Sequence, residues 1–364
     1  MKFCQRMELP DPGMPNQSNE CRNYFLACYA VSLIQGQTIL GTPIRYQTVL
    51  NYLKGAFKLL RDRKSSFKSE KDYVGIILSA LANYECVPNR RNMITDGMVQ
   101  WLINASRTQG PDSAMVSITD WIILGRYTGA RASEWCQTTQ SHHAIIREWP
   151  GTPSLAFTRD DFTFLGHRER RLTDGDVHNL TIDHINHVRI EWRKQKNKDN
   201  GQKIDFARDD DNPDYCAVRA ALRIYLRAIR LGSHPNKPLG LFQNPHGLTK
   251  FITSTMTADH LRNCASLVLH IKPDDPSLKL WSTHSIRVTA ANLLHRANLS
   301  DSYIQTRLRW KSSSFLMYLR NTIYGADAHT KAINVNLGAK EQPRASYRTV
   351  PEEHEPILIS IRAQ

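Results

Sequence analysis

The chain has 364 residues, with 48 Lys and Arg against 34 Asp and Glu, a formal net charge of +14 and a pI near 9.5. That length suits about two domains, each with its own core, and the basic excess favours a polyanionic partner, nucleic acid first. Seven scattered cysteines without a CxxC pair speak against a disulfide frame or zinc module and for a reducing compartment.

Residues 1–20 are polar and contain proline, and are expected to be irregular. A dense apolar helix is predicted over 21–35. Its most apolar stretch, Tyr24 to Ile34, is too short to cross a bilayer, and no basic-then-apolar leader precedes it, so the chain is expected to be soluble and intracellular, with no membrane partner. Thr42-Pro43 supplies an N-cap and a first-turn proline. Tyr46, Val49, Leu50, Leu53, Phe57 and Leu60 then follow at the spacing of an amphipathic helix. From Lys54 to Lys71 there are seven Lys and Arg against two acids. Lys54, Lys58, Arg61, Arg63 and Lys64 are therefore candidates for contact with a DNA backbone. With helices over 73–84 and 95–105, residues 21–107 read as a helical DNA-binding domain. The polar RTQGPDS stretch, 107–113, is where a boundary is expected.

The second domain, 114–338, opens on an apolar helix, 116–124, leading into GRYTGARASEWCQ. Arg131 stands at a helix start with Glu134 three residues on, an arrangement that can hold a guanidinium rigidly. Strands are predicted over 155–165, 187–192 and 203–206. Asn200-Gly201 marks a hairpin that presents Lys194, Lys196 and Lys198 near its tip, on one face. Helices are expected over 213–231, 253–270 and 288–297. The fold class is thus mainly α with a small antiparallel β-sheet (α+β). His178, His184 and His187 lie close in sequence, but no cysteine or repeated spacing completes a metal site there. Residues 339–364 read as a C-terminal tail.

The stretch that organises the chain is His284 to Tyr318, HSIRVTAANLLHRANLSDSYIQTRLRWKSSSFLMY. His284 and Arg287 sit three apart at a helix start, so both can face one anion. From His284 to Arg320 there are six Lys and Arg and one acid, which places the pair in a positive field. A second HxxR, at His167 to Arg170, has no such company and reads as a loop.

In order, TGARASE, QKNKDNG, HSIR, RW and MYLRN resemble the catalytic domain of tyrosine recombinases, the phage-integrase family. The wording WKSSSFLMYLR is closest to the crypton and DIRS-like recombinases of eukaryotic mobile elements. The resemblance covers about residues 110–325, and the helical first domain matches the family's core-binding domain in place and size. It implies Arg131 as the first arginine, with Glu134 in support, and Lys196 as the hairpin lysine, with Lys194 and Lys198 as alternatives. It further implies His284 and Arg287 as the HxxR pair, Trp310 at the His-or-Trp position and Tyr318 as nucleophile, with Tyr324 as the alternative. Lys194, Lys198, Arg307, Arg309 and Lys311 join the candidates for DNA-backbone contact.

What the resemblance implies is cleavage and rejoining of double-stranded DNA through a 3′-phosphotyrosyl intermediate, with no cofactor, metal or ATP. It also implies a dimeric or tetrameric synapse on DNA and, from the element type, a nuclear location. Two other readings share the motifs: a catalytically silent, element-derived DNA-binding protein, and a type IB topoisomerase-like relaxing enzyme.

Overall fold

The computed structural model describes residues 4–5, 7–8, 14, 17–37, 41, 44–62, 72–84, 90–137, 156–172, 182–195, 199–312, 315–316 and 319. They belong to two compact units, which divide between Asn89 and Arg90.

In the first unit the described helices are α1 (Asn19–Ile34), α2 (Tyr46–Asp62) and α3 (Asp72–Tyr84). α1 begins where the Ser18 hydroxyl accepts the Cys21 N–H at 3.1 Å, satisfying one of the donors a helix start leaves open. Leu26, Ala27, Ala30 and Leu33 of α1 share a small core with Val49 and Leu53 of α2 and Val74 of α3. The amphipathic pattern of α2 holds: Val49 and Leu53 are buried while Lys54 and Lys58 face solvent. The Thr42-Pro43 pair, Arg63, Lys64 and the Arg61 side chain lie outside the described residues.

The second unit begins earlier than the sequence reading placed it. α4 (Asp96–Arg107), started by Thr95, buries Met98, Val99, Leu102 and Ile103 in the second unit's core. The segment before it belongs there too. Asn92 N–H donates to Leu280 O at 3.0 Å, the Trp281 indole to Met93 O at 3.2 Å and Ile94 N–H to Thr289 Oγ1 at 2.7 Å. Gly110-Pro111 is a turn within this unit, not its edge, and the Pro111 carbonyl accepts two hydrogen bonds from the buried Arg227 at 3.1 Å.

α5 (Ala114–Thr128) is the axis of the second unit, apolar and buried over most of its length, as a helix covered on several sides must be. α4, α7 (Ala217–Arg230) and α9 (Thr283–Arg296) pack against it. Its Trp121 stacks on Trp135 and Phe157, with ring centroids 5.5 and 6.2 Å apart. At Gly125 a Cβ would run into Ile286 Cγ2 of α9, so this glycine sets how closely the two helices approach.

The sheet is antiparallel in the order β1 (Phe162–Leu165), β2 (His187–Trp192), β3 (Gln202–Ala207). Along β2 Val188, Ile190 and Trp192 are buried and the alternate residues are not, the period of two of a half-covered strand. The architecture is the expected one, mainly α with a small antiparallel sheet. Several limits differ. Of the predicted strand 155–165, the described residues 156–165 are strand only from Phe162 to Leu165, because Arg159–Asp161 form a 3-10 turn with Thr158 at its start. Pro213–Tyr215 is likewise a 3-10 turn, and α7 starts after Cys216. A second hairpin, β4 (Leu241–Gln243) with β5 (Thr249–Phe251), and α10 (Asp301–Arg307) were not anticipated, while α8 (Ser254–Leu269) matches its prediction.

Candidate active site

The site is built on the turn that follows α5. Gly129 caps α5 in the left-handed region, φ +54, and donates its N–H to Gly125 O at 2.8 Å, the usual chemistry of a glycine C-cap. Arg131 then serves as N-cap of the short α6 (Ala132–Trp135). Its backbone N–H donates to Glu134 Oε2 and its guanidinium to Glu134 Oε1, both at 3.0 Å. The expected Arg131–Glu134 pairing is therefore present, and 23% of the Arg131 side chain remains open to solvent.

Glu134 is buried and serves more than Arg131. Its Oε2 also accepts the Trp192 indole N–H at 3.2 Å and an Arg309 N–H at 3.1 Å. Burial pushes the Glu134 pKa up, but Arg309 and Arg131 outweigh it and hold the carboxyl below the usual range. Arg309, counted among the backbone-contact candidates, has no exposed side-chain surface. Its second η-nitrogen donates to Thr128 O at 2.9 Å, and its guanidinium lies 3.8 Å from the centre of the Trp192 ring. Burial brings its own pKa down to about 10 against the opposing pull of Glu134.

The HxxR pair comes from the start of α9, where the Ser282 hydroxyl accepts the His284 N–H at 3.3 Å. Arg287 is 3% exposed. It donates to Gly129 O at 2.6 Å and to Leu308 O at 3.0 Å, and its guanidinium lies 4.0 Å from the centre of the Trp310 ring. In this conformation it braces the turn before Arg131, so contact with a phosphate would require those bonds to be exchanged. His284 is partly buried, and burial, followed by the charges of Arg287 and Arg91, brings its pKa down to about 4. At neutral pH it is an uncharged imidazole able to donate and accept.

Residues 193–201 join β2 to β3. The ladder ends at the Trp192–Gln202 pair, so Lys194 stands in a bend, not on a strand face, and the expected alternation does not reach it. The Gly201 N–H closes the loop onto Trp192 O at 2.8 Å, with φ +80, and Asn200 Oδ1 accepts the Gln195 N–H at 2.8 Å. Arg193 anchors the entry to the loop, paired with the buried Asp161. Arg307 donates to Asp205 O at 2.9 Å, and Lys311 pairs with Asp199 at 2.9 Å, half-exposed. A cleft of about 520 Å³ lies between this loop and α10, lined by Asn200, Gln202, Gln305, Thr306, Arg309 and Trp310 among others. Lys196, Lys198, Tyr318 and Tyr324 lie outside the described residues, as do His178 and the C-terminal tail.

The structure thus brings Arg131, Glu134, Arg287 and Trp310 to one turn. It adds Arg309 and Trp192, which the sequence reading did not assign to the site. The only signal for Arg309 was its place beside Trp310; nothing local pointed to Trp192. The second HxxR is an exposed 3-10 turn with Arg168 and Glu169 in the left-handed region. Among the described residues no helix is long and apolar enough to cross a membrane, and no group of three or more His, Cys, Asp or Glu could hold a metal ion.

No protein-family model matches the chain. No curated protein matches it either. Among solved structures it is similar to a lambda integrase dimer bound to a COC′ core site, at 13% identity and TM-score 0.46, over 88% of this chain and 86% of that one. It is also similar to the Tn1549 transposon integrase in complex with circular intermediate DNA, at 15% identity and TM-score 0.44, over 85% and 84%. A third is the XerH site-specific recombinase bound to difH substrate, at 13% identity and TM-score 0.45, over 90% and 74%.

Proposed function

We propose that the chain is a tyrosine recombinase that cuts and rejoins double-stranded DNA, in the service of a crypton- or DIRS-like mobile element. The observation that carries this reading is the gathering of motif residues far apart in sequence around one turn. Arg287 donates to the carbonyl two residues before Arg131 and lies against the Trp310 ring. Displacement at a phosphodiester builds negative charge on the non-bridging oxygens, and arginines supply a permanent, planar countercharge. In the first step the Tyr318 oxygen bonds to phosphorus as the bond to the 5′-oxygen breaks, leaving a 3′-phosphotyrosine. The departing oxygen takes its proton from a lysine of the 194–198 loop, with Lys196 assigned. Attack by a 5′-hydroxyl of another strand reverses the step and releases the tyrosine. The bond energy stays in the phosphotyrosine, so the cycle needs neither ATP nor a metal ion. Neutral His284 orients or relays the proton. Arg131, Lys196, His284, Arg287, Trp310 and Tyr318 are the proposed catalytic set. Exchange between duplexes calls for self-association on DNA.

The test is covalent capture. Wild type and Tyr318→Phe are incubated with a library of nicked duplexes, resolved under denaturing conditions, and any attached DNA is sequenced. An adduct formed by wild type and absent from the variant is the expected result, and it yields the site as well. An adduct that survives the substitution would move the nucleophile to Tyr324 or elsewhere. Binding that weakens steeply with salt but yields no adduct would favour the catalytically silent reading.

A further inference from the structure

Arg309 stands in a backbone conformation that side chains rarely adopt, φ +58, where the Cβ crowds the chain and glycine is the comfortable residue. A long, charged side chain at such a position, buried, is doubly disfavoured unless its contacts offset the strain and the desolvation. The contacts here are specific. One η-nitrogen is given to Glu134 Oε2 and the other to Thr128 O, while the flat face lies on Trp192. Both acceptors act on Arg131. Glu134 binds its backbone and its guanidinium, and Thr128 belongs to the turn that carries it. Arg309 is also joined directly to Trp310 by the peptide bond.

Charge sharpens the point. Arg131 and Arg309 together carry two positive charges against the single negative charge of Glu134, so the triad keeps one net positive charge. Arg131 is the member with surface open to solvent, hence the one able to turn that excess toward an incoming anion. Without Arg309, Arg131 and Glu134 would form a closed neutral pair with little attraction left for a phosphate.

We propose that Arg309 is a positioning residue for strand cleavage: by occupying Glu134 Oε2 and the Thr128 carbonyl it holds Arg131 in place and leaves its charge available to the scissile phosphate. This rests on the tyrosine-recombinase reading above. Lysine cannot replace it, because one ammonium cannot serve both acceptors and lie flat on the indole.

The experiment measures single-turnover adduct formation with saturating protein, on the nicked duplex recovered by Tyr318-dependent capture. Each of wild type, Arg309→Lys and Arg309→Gly is given the natural phosphodiester or a methylphosphonate at the scissile position. Partial misfolding lowers the amplitude under these conditions and leaves the rate constant alone. The glycine variant also relieves the backbone, which favours its folding. The methylphosphonate is neutral and has less charge for an arginine to stabilise. Both variants are expected to slow the phosphodiester reaction by about 30- to 100-fold, and the methylphosphonate reaction by no more than about a tenth of that loss. Equal losses on the two substrates, or none on the phosphodiester, would overturn the Arg309 proposal while the reading stood. No covalent adduct of any kind from wild type would instead overturn the reading itself.

Discussion

Among the described residues of the second unit, two buried carboxylates each hold two arginines, and they differ in kind. Asp120, on α5, takes Arg223 and Arg227, both at 2.6 Å and both from one helix, α7. Arg227 is further pinned to Ser117 Oγ and Pro111 O. Apart from Pro111, in the turn before α5, the partners sit on regular helix, and the pair joins α7 to α5. Glu134 takes Arg131 from its own helix start and Arg309 from the far end of the unit, and Arg309 has a strained backbone. A buried ion pair by itself therefore marks neither stability nor function. Each cluster leaves one cation open to solvent, Arg223 or Arg131; what separates the Glu134 cluster is that its buried cation is held at a conformational cost, as expected where strain serves a site.

The largest effects should come from removing each carboxylate's charge. Glu134→Gln leaves the buried Arg309 uncompensated, and Asp120→Asn leaves the buried Arg227 only the more distant Asp112, at 3.8 Å; both are expected to lower stability, by about 3–5 kcal/mol, measured by denaturant unfolding. They should part on chemistry. Glu134→Gln should slow single-turnover cleavage by about 100-fold, while the folded fraction of Asp120→Asn should cleave at the wild-type rate. If Asp120→Asn slows the reaction equally, the distinction between the two clusters collapses.

A smaller effect concerns pH. The folded pKa of His284, about 4, lies below its ordinary 6.5, so as pH falls the unfolded chain binds the proton first. The contribution to stability is complete above about pH 6.5 and declines from there to about pH 4, by about 3 kcal/mol in all. Subtracting the stability–pH curve of His284→Asn from that of wild type should isolate this window. A flat difference would mean that the imidazole is not desolvated. Glu134 acts lower on the scale. Its folded pKa is depressed, so its contribution is present above the ordinary carboxylate range and is lost as pH falls through the folded value.

The smallest change tests the outer member of the helical pair. Arg223 is 41% exposed on its side chain, and Arg223→Gln is expected to lower stability by no more than about 1 kcal/mol, without altering the rate of cleavage. A rate change there would extend the site to α7.

Much of this unit could be read from its sequence because the relevant forces are local. Thr95, Ser113 and Thr253 each accept a helix-start N–H, and the three-residue spacing of His284 and Arg287 needs only one helical turn. The pairing of Arg131 with Glu134 is equally local. The misplaced boundary has a physical reason. Gly110-Pro111 carries the usual marks of a linker, but what fixes it is a guanidinium 116 residues away. The role of Arg309 was hidden in the same way, since its carboxylate lies 175 residues upstream. Its left-handed backbone belongs to a residue type that gives no sign of it. The β4–β5 hairpin escaped because three-residue strands around Asn244 and Gly247 are too short to show a period.

The turn at Thr128 and Gly129 has successive carbonyls held by two arginines that come much later in the chain, Arg309 and Arg287. On the ribosome, where chains fold from the N-terminus onward, α5 and the carboxylate of Glu134 emerge well before either. Until residues 287–309 follow, Glu134 has Arg131 alone for a cation and the turn lacks both braces. The order of synthesis thus delays assembly of the Arg131–Glu134–Arg309 cluster, and of the braced turn beneath it, until residues 287–309 have been made.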